Sequence, residues 1–280
     1  MGFGIFVHWS IDSQLGSVIS HSLVGASDEY VNRYFNELPK TFYPDKFDAD
    51  EWARLFKISG AEYVVFTTKH HNGFCMWDTD TTDFNIMNTP YGKDITKELF
   101  DALRKHGLKV GVYFSPEDFN FLNKQGNLIS RKREMSQITE NSQLLDYDKK
   151  QVKELVEKFS PIDVIFFDAF ETEPIVQYVH ALDPNIVVTR GEMETPEQNI
   201  PNAALPGPWE TCMTMGTQWQ YKPTNETYKS GTELIEKLVE IRAKGGNFLM
   251  NIGPKPNGEI PIEQEERLRE IGLWMFVNNE

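Results

Sequence analysis

The sequence predicts an α/β protein of the (β/α)8-like TIM-barrel type, irregular enough to have fewer than eight regular βα units. Three observations lead there. Short β-branched or aromatic runs alternate with amphipathic stretches of about a dozen residues, the rhythm of repeated βα units around a parallel sheet. The 280 residues suit one barrel, and no low-complexity linker or longer repeat divides them, so a single domain over 1–280 is expected. Polar and aromatic residues gather where the apolar runs end, the rim on which such barrels build active sites.

Taken in order, the first run is "FGIFVHW" at 3–9, which ends in His8-Trp9. A helix is expected over 49–59, followed by "EYVVFTT" at 62–68 and the adjacent Lys69-His70-His71. Asp94 and Gly107 bracket a helix over 95–106 as start and stop signals. "KVGVYFS" at 109–115 carries Tyr113 and leads to Glu117-Asp118. Pro161 stops a helix over 146–159, and "DVIFFDAF" at 163–170 holds Asp168 near its end. After a helix over 173–182, "NIVVTR" at 185–190 ends in Arg190 and is followed by Glu192, Glu194 and Glu197. "ETCMTM" at 210–215 lies beside Trp209 and Trp219. A helix over 231–244, the run "NFLMNIG" at 247–253 with Asn251, and a helix over 262–277 close the chain.

Composition excludes several classes. A net charge of −14 repels polyphosphates, so nucleic acid is not an expected partner. No apolar run is long enough to span a membrane, and "MGFGIFVHWS" lacks the basic and apolar regions of a leader. That fits a cytoplasmic protein, or a periplasmic or secreted one whose leader has been removed. Cys75 and Cys212 read as small apolar packers rather than a disulfide or zinc framework.

Metal chemistry would need three or more converging His or carboxylate ligands. His70 and His71 are consecutive, so on an extended strand they point to opposite faces and cannot share an ion without a bend. The glycines of "AKGGNFLMNIG" precede their strand, which is wrong for a phosphate cradle, and no G-x-S-x-G elbow is present. Carboxylates and aromatic rings in excess are what sugar recognition and glycosidic cleavage use: rings stack on C–H faces, and two carboxyls divide the nucleophile and acid/base roles.

The segments "FGIFVHW", "PDKFDADEWARLFKISGAEYVVFTTKHHNGFCMWDTDTTDFNI", "PYGKDITKELFDALRKHGLKVGVYFSPED", "PIDVIFFDAF", "ETPEQ", "PWETCMTM" and "NFLMNIGPKPNGEI" occur in an order that resembles glycoside hydrolase family 29, the α-L-fucosidases. The resemblance implies a barrel catalytic domain, here without the β-sandwich that often follows it. It implies a retaining exo-glycosidase with a covalent fucosyl-enzyme intermediate, no cofactor, no metal, and a fucosylated oligosaccharide or glycoconjugate as partner.

Residue by residue, the family's strand ending in Asp maps onto Asp163 to Ala169, which makes Asp168 the nucleophile candidate. A helix N-cap role for Asp168 is the competing reading, and Thr172 is available for that instead. Thr195-Pro196-Glu197 matches the turn that supplies the acid in some members, so Glu197 is the acid/base candidate, with Glu210 second and Glu194 third. His8, His70, His71 and Tyr113 match hydroxyl readers, Arg190 stands near the ring and the nucleophile, and Trp77 and Trp219 are expected as aromatic walls. Departures from the family pattern are Phe166 for Trp, Ala169 for Gly, Asn72 for Asp, and "SQLGSVISHSLVGAS" with His21 in place of a loop that often carries a Glu-Trp pair. They bear on which sugar is accepted, an α-L-galactoside or modified algal sugar included. A sugar-binding barrel without catalysis and a metal-dependent aldose isomerase are the alternatives of other classes.

Overall fold

The computed structural model describes residues 2–131 and 133–278. Every apolar run of the sequence becomes a buried parallel strand: β1 Phe3–Val7, β2 Tyr63–Lys69, β3 Lys109–Phe114, β4 Val164–Phe167, β5 Val187–Val188, β6 Glu210–Thr214 and β7 Asn247–Ile252. Their order in the sheet is β5-β4-β3-β2-β1-β7-β6, a curled arrangement consistent with an irregular (β/α)8 barrel. The helices are α1 Asp28–Asn36, α2 Ala49–Ile58, α3 Ile95–Lys105, α4 Phe119–Lys124, α5 Ser142–Phe159, α6 Glu173–Leu182, α7 Gly231–Ala243 and α8 Ile262–Val277. Six of these were expected. The short α4 and the largely polar α1 were not, because neither shows a long apolar stripe.

Side chains at helix starts accept the backbone N–H groups that a first turn leaves open. Asp48, Asp94, Asp118 and Ser230 do this for α2, α3, α4 and α7. Thr172 is the N-cap position of α6, though its side chain makes no cap bond. Asp168 is therefore free of that duty.

Alternation along each strand sorts the core into two layers. Phe6, Tyr63, Val65, Tyr113, Val164, Phe166, Cys212 and Leu249 fill the inside of the curl. Ile5, Val7, Val64, Phe66, Val112 and Phe114 face outward into the layer under the helices. Burying each such side chain stabilises by about 2 kcal/mol.

The regular sheet does not close. β5 is only two residues long, and past Arg190 the chain leaves β4 and runs beside β6 instead. Cys212 N–H donates to Pro196 O at 3.2 Å and Gln198 N–H to Cys212 O at 2.9 Å. Parallel bridges pair Glu194 with Trp209 and Glu197 with Cys212. Residues 194–198 thus stand where an eighth strand would, and they carry Glu197 to the rim. Among the described residues no helix is long and apolar enough to cross a membrane.

Candidate active site

A cavity of about 680 Å³ opens at the C-terminal ends of the strands. Each strand supplies its wall from the residues just at or past its end: His8 from β1, His70 from β2, Tyr113 from β3, Asp168 from β4 and Arg190 from β5. Glu197 comes from the bridging segment and Trp219 from the loop after β6. Phe6, Phe166 and Cys212 form an apolar floor. Cys212 is buried and free as expected of a packer, yet it also lines the cavity.

Asp168 is the most heavily contacted group. Tyr113 donates its hydroxyl to Oδ2 at 2.7 Å, Arg190 donates Nη1 to Oδ1 at 3.2 Å, and His71 Nε2 lies 3.3 Å from Oδ2. Burial alone would raise this carboxyl, but the hydrogen bond and charge of His71, with the charge of Arg190, outweigh it and hold Asp168 well below the ordinary carboxylate range. The same guanidinium donates Nη2 to Glu197 Oε2 at 2.8 Å. One planar fork therefore spans two carboxylates, and it also stacks over Phe166, with Cζ 4.8 Å from the ring centroid.

The hydrogen-bond partners assign the histidine tautomers. Asn251 donates its amide to Trp219 O, so its Oδ1 accepts from His8 Nδ1 at 2.6 Å. His8, pushed by burial down to about 4, is thus neutral with a lone pair on Nε2. Ser20 Oγ accepts from Asn72 N–H and lies 2.7 Å from His70 Nδ1; the arrangement that uses the hydroxyl proton gives it to Nδ1 and leaves His70 an Nε2–H donor. Burial, with its histidine neighbours, keeps His70 neutral, well below its ordinary range. Ser115 Oγ donates to Glu117 O, so it accepts from His71 Nδ1. The remaining His71 Nε2 attracts Asp168 only when it carries a proton.

The opposed directions expected for His70 and His71 do not occur. Strand β2 ends at Lys69, so neither imidazole stands on extended strand, and His70 O accepts from Gly73 N–H at 2.9 Å in a turn; the bulge at Thr68, where β2 pairs Thr67 with Tyr113 but Lys69 with Phe114, precedes both histidines. Lys69 points outward over Phe114 into a buried cluster with Asp148 and Asp118. The chain then turns at Gly73, whose φ is +81°, and a Cβ there would strike Asp118. Both imidazoles end on the inside, their centroids 4.3 Å apart. His70, His71 and Asp168 each offer a ligand atom within 4.8 Å of one another, so the geometric objection to a shared metal is overturned. What opposes a cation there is charge: the Arg190 guanidinium is already paired with Asp168.

Two expected site residues lie elsewhere. Glu210 begins β6 at the opposite, N-terminal end of the barrel, fully buried against the Tyr63 hydroxyl at 2.5 Å. Trp77 is fully buried outside the sheet, with Nε1 donating to Glu154 on α5 at 3.2 Å, because the chain after Gly73 runs outward rather than back to the pocket. Glu194 serves through its backbone in the bridge to Trp209, and its side chain is not part of the cavity wall. Asn72 is also outside the cavity, holding Ser20, Ser10 and Tyr34 together behind His70.

Wall residues that were not singled out from the sequence as contacts include Val18, Ile19, His21, Arg131 and Phe170. His21 lies in the departing loop, which was a usable signal. Arg131 lies in the connection between α4 and α5, where no strand end points to it.

The comparisons with known proteins converge on one family. A family model described as Alpha-L-fucosidase matches residues 1–280. The plasma alpha-L-fucosidase of Rattus norvegicus is 32% identical over 321 residues, covering 99% of this chain and 68% of that protein. The alpha-L-fucosidase isoenzyme 1 from Paenibacillus thiaminolyticus superimposes with a TM-score of 0.86 at 31% identity, over 99% of this chain and 74% of that one. An alpha-L-fucosidase from Bacteroides thetaiotaomicron, trapped as a covalent intermediate with 2-fluoro-fucosyl fluoride, gives 0.82 at 26% identity, over 98% of this chain and 72% of that one.

Proposed function

The chain belongs to the Alpha-L-fucosidase family of glycoside hydrolases, and from that premise we propose that it hydrolyses terminal α-L-fucosyl linkages of oligosaccharides or glycoconjugates with retention of configuration. The observation that carries the assignment of roles is the single guanidinium of Arg190 bound to both Asp168 and Glu197. A retaining pair must stand roughly 5 to 5.5 Å apart, and two carboxylates sharing one fork are compatible with that spacing. In this reading the whole barrel, residues 1–280, is one catalytic domain.

Asp168 is the nucleophile. Kept ionised by His71 and Arg190, it attacks C1 while the glycosidic oxygen leaves with a proton from Glu197. Water then enters, gives a proton back to Glu197, and displaces Asp168 from C1. In the resting site Glu197 is held by Arg190 Nη2, so the entering sugar takes over that donor and frees Glu197 to face the glycosidic oxygen. His8 accepts from one sugar hydroxyl and His70 donates to another, an acceptor and a donor set side by side. Trp219 offers a ring face to the sugar's C–H surface, Phe166 carries the Arg190 guanidinium, and Tyr113 and His71 hold the nucleophile's orientation. Glu210 and Trp77 have no part in this scheme.

Hydrolysis of 4-nitrophenyl α-L-fucoside, unchanged by EDTA, is the expected result for the wild type. The Asp168→Gly variant loses turnover at least about 1,000-fold, and added azide restores cleavage with β-L-fucosyl azide as product. Full activity in that variant, or inactivation by chelation, would sink the reading.

A further inference from the structure

The cavity has a second guanidinium that the proposed mechanism does not use. Arg131 is held from behind by the buried Glu117, with Nε donating to Oε2 at 2.8 Å. Its Nη1 donates to His21 Nε2 at 3.3 Å. His21 Nδ1 is engaged with Ile19 O at 2.7 Å, which a carbonyl can only accept, so Nε2 is the lone pair and His21 serves to aim the arginine. The loop that presents His21 is itself fixed: Ser20 sits at φ +61° with its N–H donating to the buried Asp12 at 2.6 Å.

Position in the site narrows what this pair contacts. The His21 ring lies 5.9 Å from that of His71 and 6.4 Å from that of His70. His71 meets Asp168 at Oδ2, whereas Arg190, which also holds Glu197, meets it at Oδ1. The acid stands where the leaving oxygen departs, so the side with Arg131 faces the sugar being transferred. Charge narrows it further. Arg131 is paired with Glu117 and Arg190 with Asp168 and Glu197, so each guanidinium already has a carboxylate partner, and what Arg131 offers the cavity is a hydrogen-bond donor.

We infer that Arg131, aimed by His21, is a specificity-determining residue that donates to one neutral hydroxyl of the transferred sugar. The inference rests on the fucosidase reading above. It makes Arg131 the specificity residue and His21 a positioning residue, in the loop where this chain departs from its family's pattern.

The test compares Arg131→Met and Arg131→Lys with the wild type on α-L-fucosyl fluoride, 4-nitrophenyl α-L-fucoside and the 2-, 3- and 4-deoxy forms of the aryl glycoside. Arg131→Lys keeps the ion pair with Glu117 and so guards against a folding defect, while losing the planar fork. A charged hydrogen bond of this kind predicts about a 30-fold fall in kcat/KM for Arg131→Met. The fall is the same for fluoride and aryl leaving groups, and it vanishes for the one deoxy sugar that lacks the contacted hydroxyl. Arg131→Lys and His21→Phe show the same deoxy signature at smaller size. A fall of less than threefold, a fall confined to the aryl leaving group, or an equal fall on every deoxy sugar overturns the inference. A wild-type protein that does not turn over the fluoride overturns the fucosidase reading and takes this inference with it.

Discussion

Ser20 controls His70 from outside the cavity. Its hydroxyl stands between the Asn72 N–H and His70 Nδ1 and, by donating to Nδ1, favours the ring with its proton on Nε2. Ser20→Ala removes that constraint without touching the wall. The expected outcome is about a 10-fold loss in kcat/KM, together with a lower urea midpoint because the buried Asn72 N–H loses its acceptor. Unaltered kinetics would mean that His70 holds its tautomer by other means. Asn72 is part of the same support. It departs from the family's aspartate, but its partners Ser10 and Tyr34 lie behind the site, so its influence on the sugar runs through Ser20. Phe166, the other notable departure, does reach the pocket and takes the guanidinium of Arg190 on its face.

At the level of elements, β6 shows how the two ends of a strand differ in purpose. Its first residue, Glu210, is sealed at the bottom of the barrel, and burial pushes its carboxyl from 4.5 up to about 7. One oxygen accepts from Tyr63, and the Thr189 hydroxyl and the charge of Arg190 offset the burial only in part. A folded value above the unfolded one means the protonated form is favoured by folding. Stability is complete below about pH 4.5 and falls as pH rises through 7, by about 3 kcal/mol. Glu210→Gln keeps the Tyr63 bond and removes the titration. Urea unfolding of this variant should be flatter than wild type between pH 4.5 and 8 and show higher stability at the alkaline end, with fucoside hydrolysis retained. Loss of hydrolysis with natural but not activated leaving groups would instead return Glu210 to the role of acid.

Across the whole molecule, the seam between β5 and β6 is the weak part of the barrel. Strand β1 is paired along its full length with β2 and β7, whereas the closing segment 194–198 makes only isolated bridges to β6. Fewer cooperative hydrogen bonds mean a lower opening free energy. Hydrogen–deuterium exchange should therefore be faster at Gln198 and Cys212 than at the amides of β1, β2 and β7. A bound fucose analogue, by engaging Arg190 and Glu197, should slow it at the seam. Equal protection at seam and centre would show that the closure is as firm as the regular sheet.

Seven strands and most of the helices were legible because period-two and helical spacing are local properties, written in residues a few positions apart. Asp168, His8, His70, Tyr113 and Arg190 were legible for a related reason: in a parallel barrel the ends of strands converge, so strand boundaries alone mark the rim. The common direction of His70 and His71 was not legible, since it depends on β2 ending at Lys69 and on the chain turning through Gly73. Nor was it legible that β6 enters the sheet at Glu210, which sends that carboxylate to the floor, or that the loop beyond Gly73 carries Trp77 away. Arg131 and His21 are 110 positions apart and meet only because Glu117 and Asp12 anchor their loops from inside. The sequence by itself determined the barrel and the chemistry available at its mouth. Tertiary structure alone decided which acids share Arg190, because that depends on where distant loops are held.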